Sequence, residues 1–90
     1  MKEVSGRFEI RNKLGMHARA AAEFVQLANK YDAEIKVRKG DTEANGKSIM
    51  SVLSLAAGKG SELEIVAEGS DAEEAVAAIM VLIEHNFEVP

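Results

Sequence analysis

The strongest constraint on how this chain folds is a hydrophobic period that keeps switching. Between its glycines, segments that repeat every two residues give way to segments that repeat every three or four. A period of two puts side chains on alternate faces of a strand, and a period near 3.6 draws an apolar stripe along a helix. Residues 3–11 predict a half-buried strand, with Arg7 and Glu9 outward and Phe8 and Ile10 inward. Within residues 18–30, Ala21, Phe24, Val25 and Ala28 follow helical spacing and predict an amphipathic helix. Residues 33–39 alternate through Ile35 and Val37, and Lys39-Gly40-Asp41 predicts a turn into a short return strand over 41–45. Ser48 suits the N-cap of a short helix, and Gly58 suits the left-handed position that ends it. A strand over 61–68 runs through Leu63, Ile65 and Ala67. Ser70 and Glu73 have capping-box spacing ahead of a last helix over about 71–85, which is expected to bury Ala72, Val76, Ile79 and Ile83. The order is β-α-β-β-α-β-α. It implies an α+β fold: a four-stranded antiparallel sheet with three helices on one face and water on the other.

Ninety residues are read as a single domain spanning 1–90, able to bury roughly 65% of its unfolded surface without staples. With no cysteine, disulfides and thiolate chemistry are excluded. The opening Met1-Lys2-Glu3-Val4-Ser5-Gly6 lacks the apolar stretch of a secretory signal, and no apolar run approaches the ~20 residues of a membrane span. The expectation is a soluble, cytoplasmic protein. A net charge of −4 and only four aromatic residues argue against nucleic acid as a ligand, and against an RNA-binding module in particular.

Chemistry concentrates in Asn12-Lys13-Leu14-Gly15-Met16-His17-Ala18-Arg19. His17 falls where a loop becomes a helix. A helix start offers unpaired N–H groups and the positive end of the macrodipole, and so favours an anion. That field disfavours a charged ring, and a neutral ring nitrogen is what a nucleophile needs. A phosphoryl group on it would gain about 0.3–1 kcal/mol from the dipole, and roughly 1.5–3 kcal/mol from a charge-assisted bond to Arg19. The N–H groups around Ala18 and Arg19 would complete the cradle. The bland alternative, a histidine that merely sits at a helix start, stays open at this point. Metal binding is a poor reading, since His85 is the only other histidine and no companion ligands lie at useful spacing. His85 itself reads as a solvated residue at the end of the last helix.

Ser48 needs no role beyond capping, yet an N-cap serine also accepts a phosphate well. Ile49, Met50, Val52, Leu53 and Leu55 are too many apolar residues for one short helix to bury. Val52, Leu55 and Ala56 are expected to face the core. Ile49, Met50 and Leu53 are expected to remain exposed as a docking patch, with plain core packing as the alternative. Gly58-Lys59-Gly60 lacks the spacing of a phosphate loop and reads as a cap and turn.

Taken together, the chain resembles the HPr family, the histidine phosphocarriers of the bacterial phosphoenolpyruvate-dependent phosphotransferase system. The resemblance rests on the 12–19 segment, on Asn45-Gly46-Lys47-Ser48-Ile49-Met50-Ser51-Val52, and on the later Leu55-Ala56-Ala57-Gly58-Lys59-Gly60-Ser61 and Ala67-Glu68-Gly69. It implies an open-faced β-sandwich and a carrier cycle with no cofactor. In that cycle enzyme I, charged by phosphoenolpyruvate, phosphorylates the histidine at Nδ1, and the group passes on to an enzyme IIA. The resemblance makes His17 the phosphoacceptor, Arg19 the residue that stabilises phosphate, and Ile49, Met50 and Leu53 the docking patch. Ser48 becomes the target of a serine kinase/phosphorylase. A monomer is expected for such transient docking. One departure stands out: most sugar-system members have proline after the arginine, and here Ala20 follows Arg19. Arg19-Ala20-Ala21 resembles the nitrogen-related, NPr-like branch, which serves regulation more than sugar uptake. A regulatory module that acts mainly by docking is therefore the alternative to sugar transport.

Overall fold

The computed structural model describes residues 2–87. Its elements follow the expected order: β1 (Glu3–Glu9), α1 (Ala18–Ala28), β2 (Glu34–Lys39), β3 (Thr42–Asn45), α2 (Ile49–Ser54), β4 (Glu62–Glu68) and α3 (Ala72–Glu84). The four strands form one antiparallel sheet in the order β1-β4-β2-β3, and the three helices cover one face of it.

Register explains the two faces. Val4, Ala67 and Ile35 lie side by side, as do Gly6, Ile65, Val37 and Ala44, and Phe8 lies opposite Leu63. These rows point at the helices, where Phe24 of α1, Val52 of α2 and Ile79 of α3 complete the core at zero exposure. The other face carries charge. Arg7, Glu64, Arg38 and Glu43 form one row, in which the Arg38 Nε donates to Glu43 Oε2 at 2.7 Å. That bond holds the Glu43 carboxyl below the usual carboxylate range and raises the Arg38 guanidinium. Val66 departs from the alternation: it lies on the open face between Ser5 and Lys36, yet it is buried.

Two of the expected helix ends are corrected. Ser70 and Glu73 form no capping box. The N-cap of α3 is Asp71, and its side chain makes no cap bond. Its carboxylate instead accepts the N–H groups of Asp32 and Ala33, both at 2.8 Å, and so ties the start of α3 to the turn before β2. Glu73 pairs with Lys2 instead. After α2, the left-handed residue is Ala56 (φ 49°), not Gly58, and Ala56 is exposed while Ala57 takes the core position. An alanine in that region costs about 1–2 kcal/mol relative to an ordinary conformation, so its surroundings must hold it there. The last helix ends as the sequence favours. His85 is its exposed C-cap. The Asn86 N–H donates to the Ile83 carbonyl and the Phe87 N–H to the Leu82 carbonyl, a Schellman arrangement with asparagine in the left-handed place.

The Asp71 contacts predict a specific acid sensitivity. First the Asp32 N–H and then the Ala33 N–H hold this carboxyl below its ordinary value. Its native pKa is depressed, so its contribution is complete above the ordinary carboxylate value of about 4 and is lost as pH falls through the lower native value. Asp71→Ala should lower the urea midpoint at pH 7 and flatten the acid limb of stability against pH. Parallel curves for the two proteins below pH 4 would contradict this.

Candidate functional site

The loop between β1 and α1 is tied down along its length. The Ile10 N–H donates to the Ser61 carbonyl (2.9 Å), and the Gly60 N–H donates to the Ile10 carbonyl (2.7 Å). Further on, the Met16 N–H donates to the Ala57 carbonyl at 2.8 Å. That last bond requires a close approach that only glycine permits. Gly15 has φ 68°, and a Cβ there would sit 2.6 Å from the Ala57 oxygen and 2.8 Å from the Gly58 Cα. Asn12 braces the same turn. Its Nδ2 donates to the Gly15 carbonyl at 2.7 Å, its own carbonyl accepts the Gly15 N–H at 3.1 Å, and Met16 is buried beneath.

This turn delivers His17 to the N-cap of α1 in extended geometry (φ −81°, ψ 178°), half-buried and with no cap bond from its ring. The His17 N–H is already taken by the Gly15 carbonyl at 2.9 Å. The first intrahelical bond runs from the Ala21 N–H to the His17 carbonyl. The N–H groups of Ala18, Arg19 and Ala20 therefore have no helical acceptor. Ala20 adds a donor that proline in its place would lack. No acidic residue lies in the first turn, and among the described residues Arg19 forms no ion pair. Among the described residues, the helix mouth is thus an open positive site with no built-in anion competing for it.

His17 and Arg19 share an open depression of about 280 Å³ with Asn12, Lys13, Leu14 and Ala20 on one side and the Asn86–Phe87 turn on the other. Sequence reasoning missed several of these. Leu14 is 72% exposed beside the ring, and the loop position of an apolar residue was its only signal. Asn12 contributes more than a turn, because its Oδ1 is buried without a partner among the described residues. Asn86 reaches the site because asparagine tolerates the left-handed conformation after a helix, a signal that was present in the sequence.

The Ser48 group lies apart from the depression. Ser48 caps α2, its Oγ accepting the Ser51 N–H at 3.3 Å. Ile49 and Met50 are exposed, Met50 by 77%, and Val52 and Leu55 are buried. Leu53 differs from expectation: it is half-buried and packs against the core. Six residues turn through little more than one and a half helical turns, which leaves Leu53 beside Val52 at the edge of the core. Among the described residues, no three histidine, cysteine or acidic side chains gather as metal ligands, and no helix is long and apolar enough to cross a membrane.

Gly15→Ala should cost roughly 1–3 kcal/mol, through strain and the displaced Ala57 carbonyl. An unchanged urea midpoint would contradict a close approach at Gly15.

Comparison with known proteins shows the family and the fold. The family described as "PTS HPr component phosphorylation site" matches residues 4–85. Phosphocarrier protein HPr of Neisseria meningitidis is 47% identical over 79 residues, which cover 88% of this chain and 89% of that one. Phosphocarrier protein NPr of Escherichia coli is 42% identical over 86 residues, covering 94% and 96%. A crystal structure of HPr from Thermoanaerobacter tengcongensis superposes with a TM-score of 0.89 at 47% identity, covering 100% of this chain and 99% of that one.

Proposed function

This chain belongs to the HPr family of the phosphotransferase system, and on that premise we propose that it carries phosphoryl groups on His17. Enzyme I, charged by phosphoenolpyruvate, is the donor, and an enzyme IIA is the acceptor. In the forward step the bond from phosphorus to its donor breaks as a bond to Nδ1 of His17 forms. The next step reverses the roles, so the chain is regenerated and acts as a stoichiometric carrier rather than as an enzyme with a product of its own. The observation that carries this reading is the N-cap placement of His17 beside three N–H groups without helical acceptors and an Arg19 that forms no ion pair among the described residues. Fixed donors aimed at the equatorial oxygens stabilise charge in an in-line transfer. The exposure of Ala18 and Arg19 keeps the gain modest, as onward transfer requires.

Ile49, Met50 and Leu53 are the proposed docking patch, with Ile49 and Met50 supplying its exposed area and Leu53 its rim. Ser48 adjoins it. A phosphate from an HPr serine kinase/phosphorylase would keep the cap while placing about −1.5 to −2 charge beside the patch. Ala20 supports a second reading, a nitrogen-related regulatory carrier, because the third N–H at the helix mouth is a feature that the proline-bearing pattern lacks.

Incubation with phosphoenolpyruvate and enzyme I, followed by mass spectrometry in alkali, should add one phosphoryl group to the protein and none to His17→Ala. Arg19→Ala should fold normally and exchange phosphate roughly tenfold more slowly, the kinetic equivalent of about 1.4 kcal/mol. Equal exchange rates would remove Arg19 from the site, and a phosphorylated His17→Ala would overturn the reading altogether. Ser48→Asp should bind enzyme I more weakly than the parent, and an unchanged affinity would contradict the regulatory role. Offering sugar-specific and nitrogen-related enzyme IIA proteins in parallel separates the two branches.

A further inference from the structure

Lys39 is the last residue of β2 and shares the inward-facing parity of Ile35 and Val37. A lysine pointed toward the helical layer needs acceptors, and it has two. Its Nζ donates to the carbonyls of Leu55 and Ala56, both at 3.3 Å. Leu55 is the C-cap of α2, and Ala56 is the alanine held at φ 49°. A cation suits this place, because the last carbonyls of a helix lack intrahelical donors and carry its negative end. The next residue is Ala57, whose carbonyl accepts the Met16 N–H one residue before His17. An unbroken set of contacts thus runs from the Lys39 ammonium, through a conformation that alanine adopts reluctantly, to the backbone that sets His17.

We infer that Lys39 is a positioning residue for phosphoryl transfer: it holds the Leu55–Ala56 turn in the shape from which Ala57 anchors the His17 loop. The inference rests on His17 as the phosphoacceptor. Lys39 touches neither the ring nor the depression around it. Its effect therefore falls on the transfer step rather than on docking, because Ile49 and Met50, the exposed area of the docking patch, lie at the other end of α2. Small misplacements of a reacting group lower rates steeply.

The test compares Lys39→Met and Lys39→Arg with the parent in three readouts: the transfer rate from enzyme I, the KM for the carrier, and the exchange rate of the Met16 amide hydrogen. Lys39→Met should lower kcat by roughly three- to tenfold with KM unchanged, and should speed Met16 exchange by roughly tenfold. Lys39→Arg, which keeps a cation and its donors, should restore both. A parent-like kcat in Lys39→Met overturns the inference, as does a kcat loss that arginine fails to rescue. Should the parent itself take no phosphate from enzyme I, the carrier reading fails. The Met16 exchange rate still reads the relay in that case: unchanged exchange in Lys39→Met shows that Lys39 does not hold the loop.

Discussion

One backbone hydrogen bond, from the Met16 N–H to the Ala57 carbonyl, fixes where His17 stands. Strand β1 ends at Glu9 and α1 begins at Ala18, so the histidine belongs to neither element. Without an anchor, a connection of this length would wander on the scale of the site itself. The bond forms because Gly15 lets two stretches of backbone approach within a distance that any side chain would block. Asn12 then closes the turn from the other side. The result is a ring at a helix mouth, held by main-chain contacts that do not use the ring itself.

The layered fold makes that arrangement possible. The sheet supplies a rigid floor through inward rows such as Gly6, Ile65, Val37 and Ala44. The loop after β1 and the turn before β4 leave neighbouring strands at the same end, so their backbones meet there. The charged outer face plays no part in this. Its Arg7, Glu64, Arg38 and Glu43 row keeps the sheet in water and its edges unattractive to other strands. A carrier has to release what it binds. A shallow depression with a few fixed donors meets that need better than a closed pocket, where the loss of water would strengthen every contact with the anion.

Much of this was legible in the sequence because the periods are clean. Ile35 and Val37 identify a strand without ambiguity, and Ala21, Phe24, Val25 and Ala28 identify a helix. All six are buried as their spacing requires. The helix ends were harder, because competing contacts decide them. Ser70 and Glu73 have ideal capping-box spacing, but Asp71 takes the cap position and spends its carboxylate on the 32–33 turn, while Glu73 meets Lys2. Gly58 is the natural left-handed residue after α2, yet Ala56 adopts that conformation with Lys39 on its carbonyl. Within the site, the signature residues His17 and Arg19 stood out locally. Asn86 and Phe87 did not, because only the packing of α3 brings them to the same depression some seventy residues later.

On the proposed reading, His17 takes phosphorus onto a site already formed by the start of α1 and its anchored loop. Backbone amide spectra of the protein, before and after charging with phosphoenolpyruvate and enzyme I, test it most directly. Large shifts are expected at Ala18, Arg19 and Ala20 as their N–H groups meet phosphate oxygens, with Met16 unmoved. Unshifted amides at the helix start, or a displaced Met16, would contradict it.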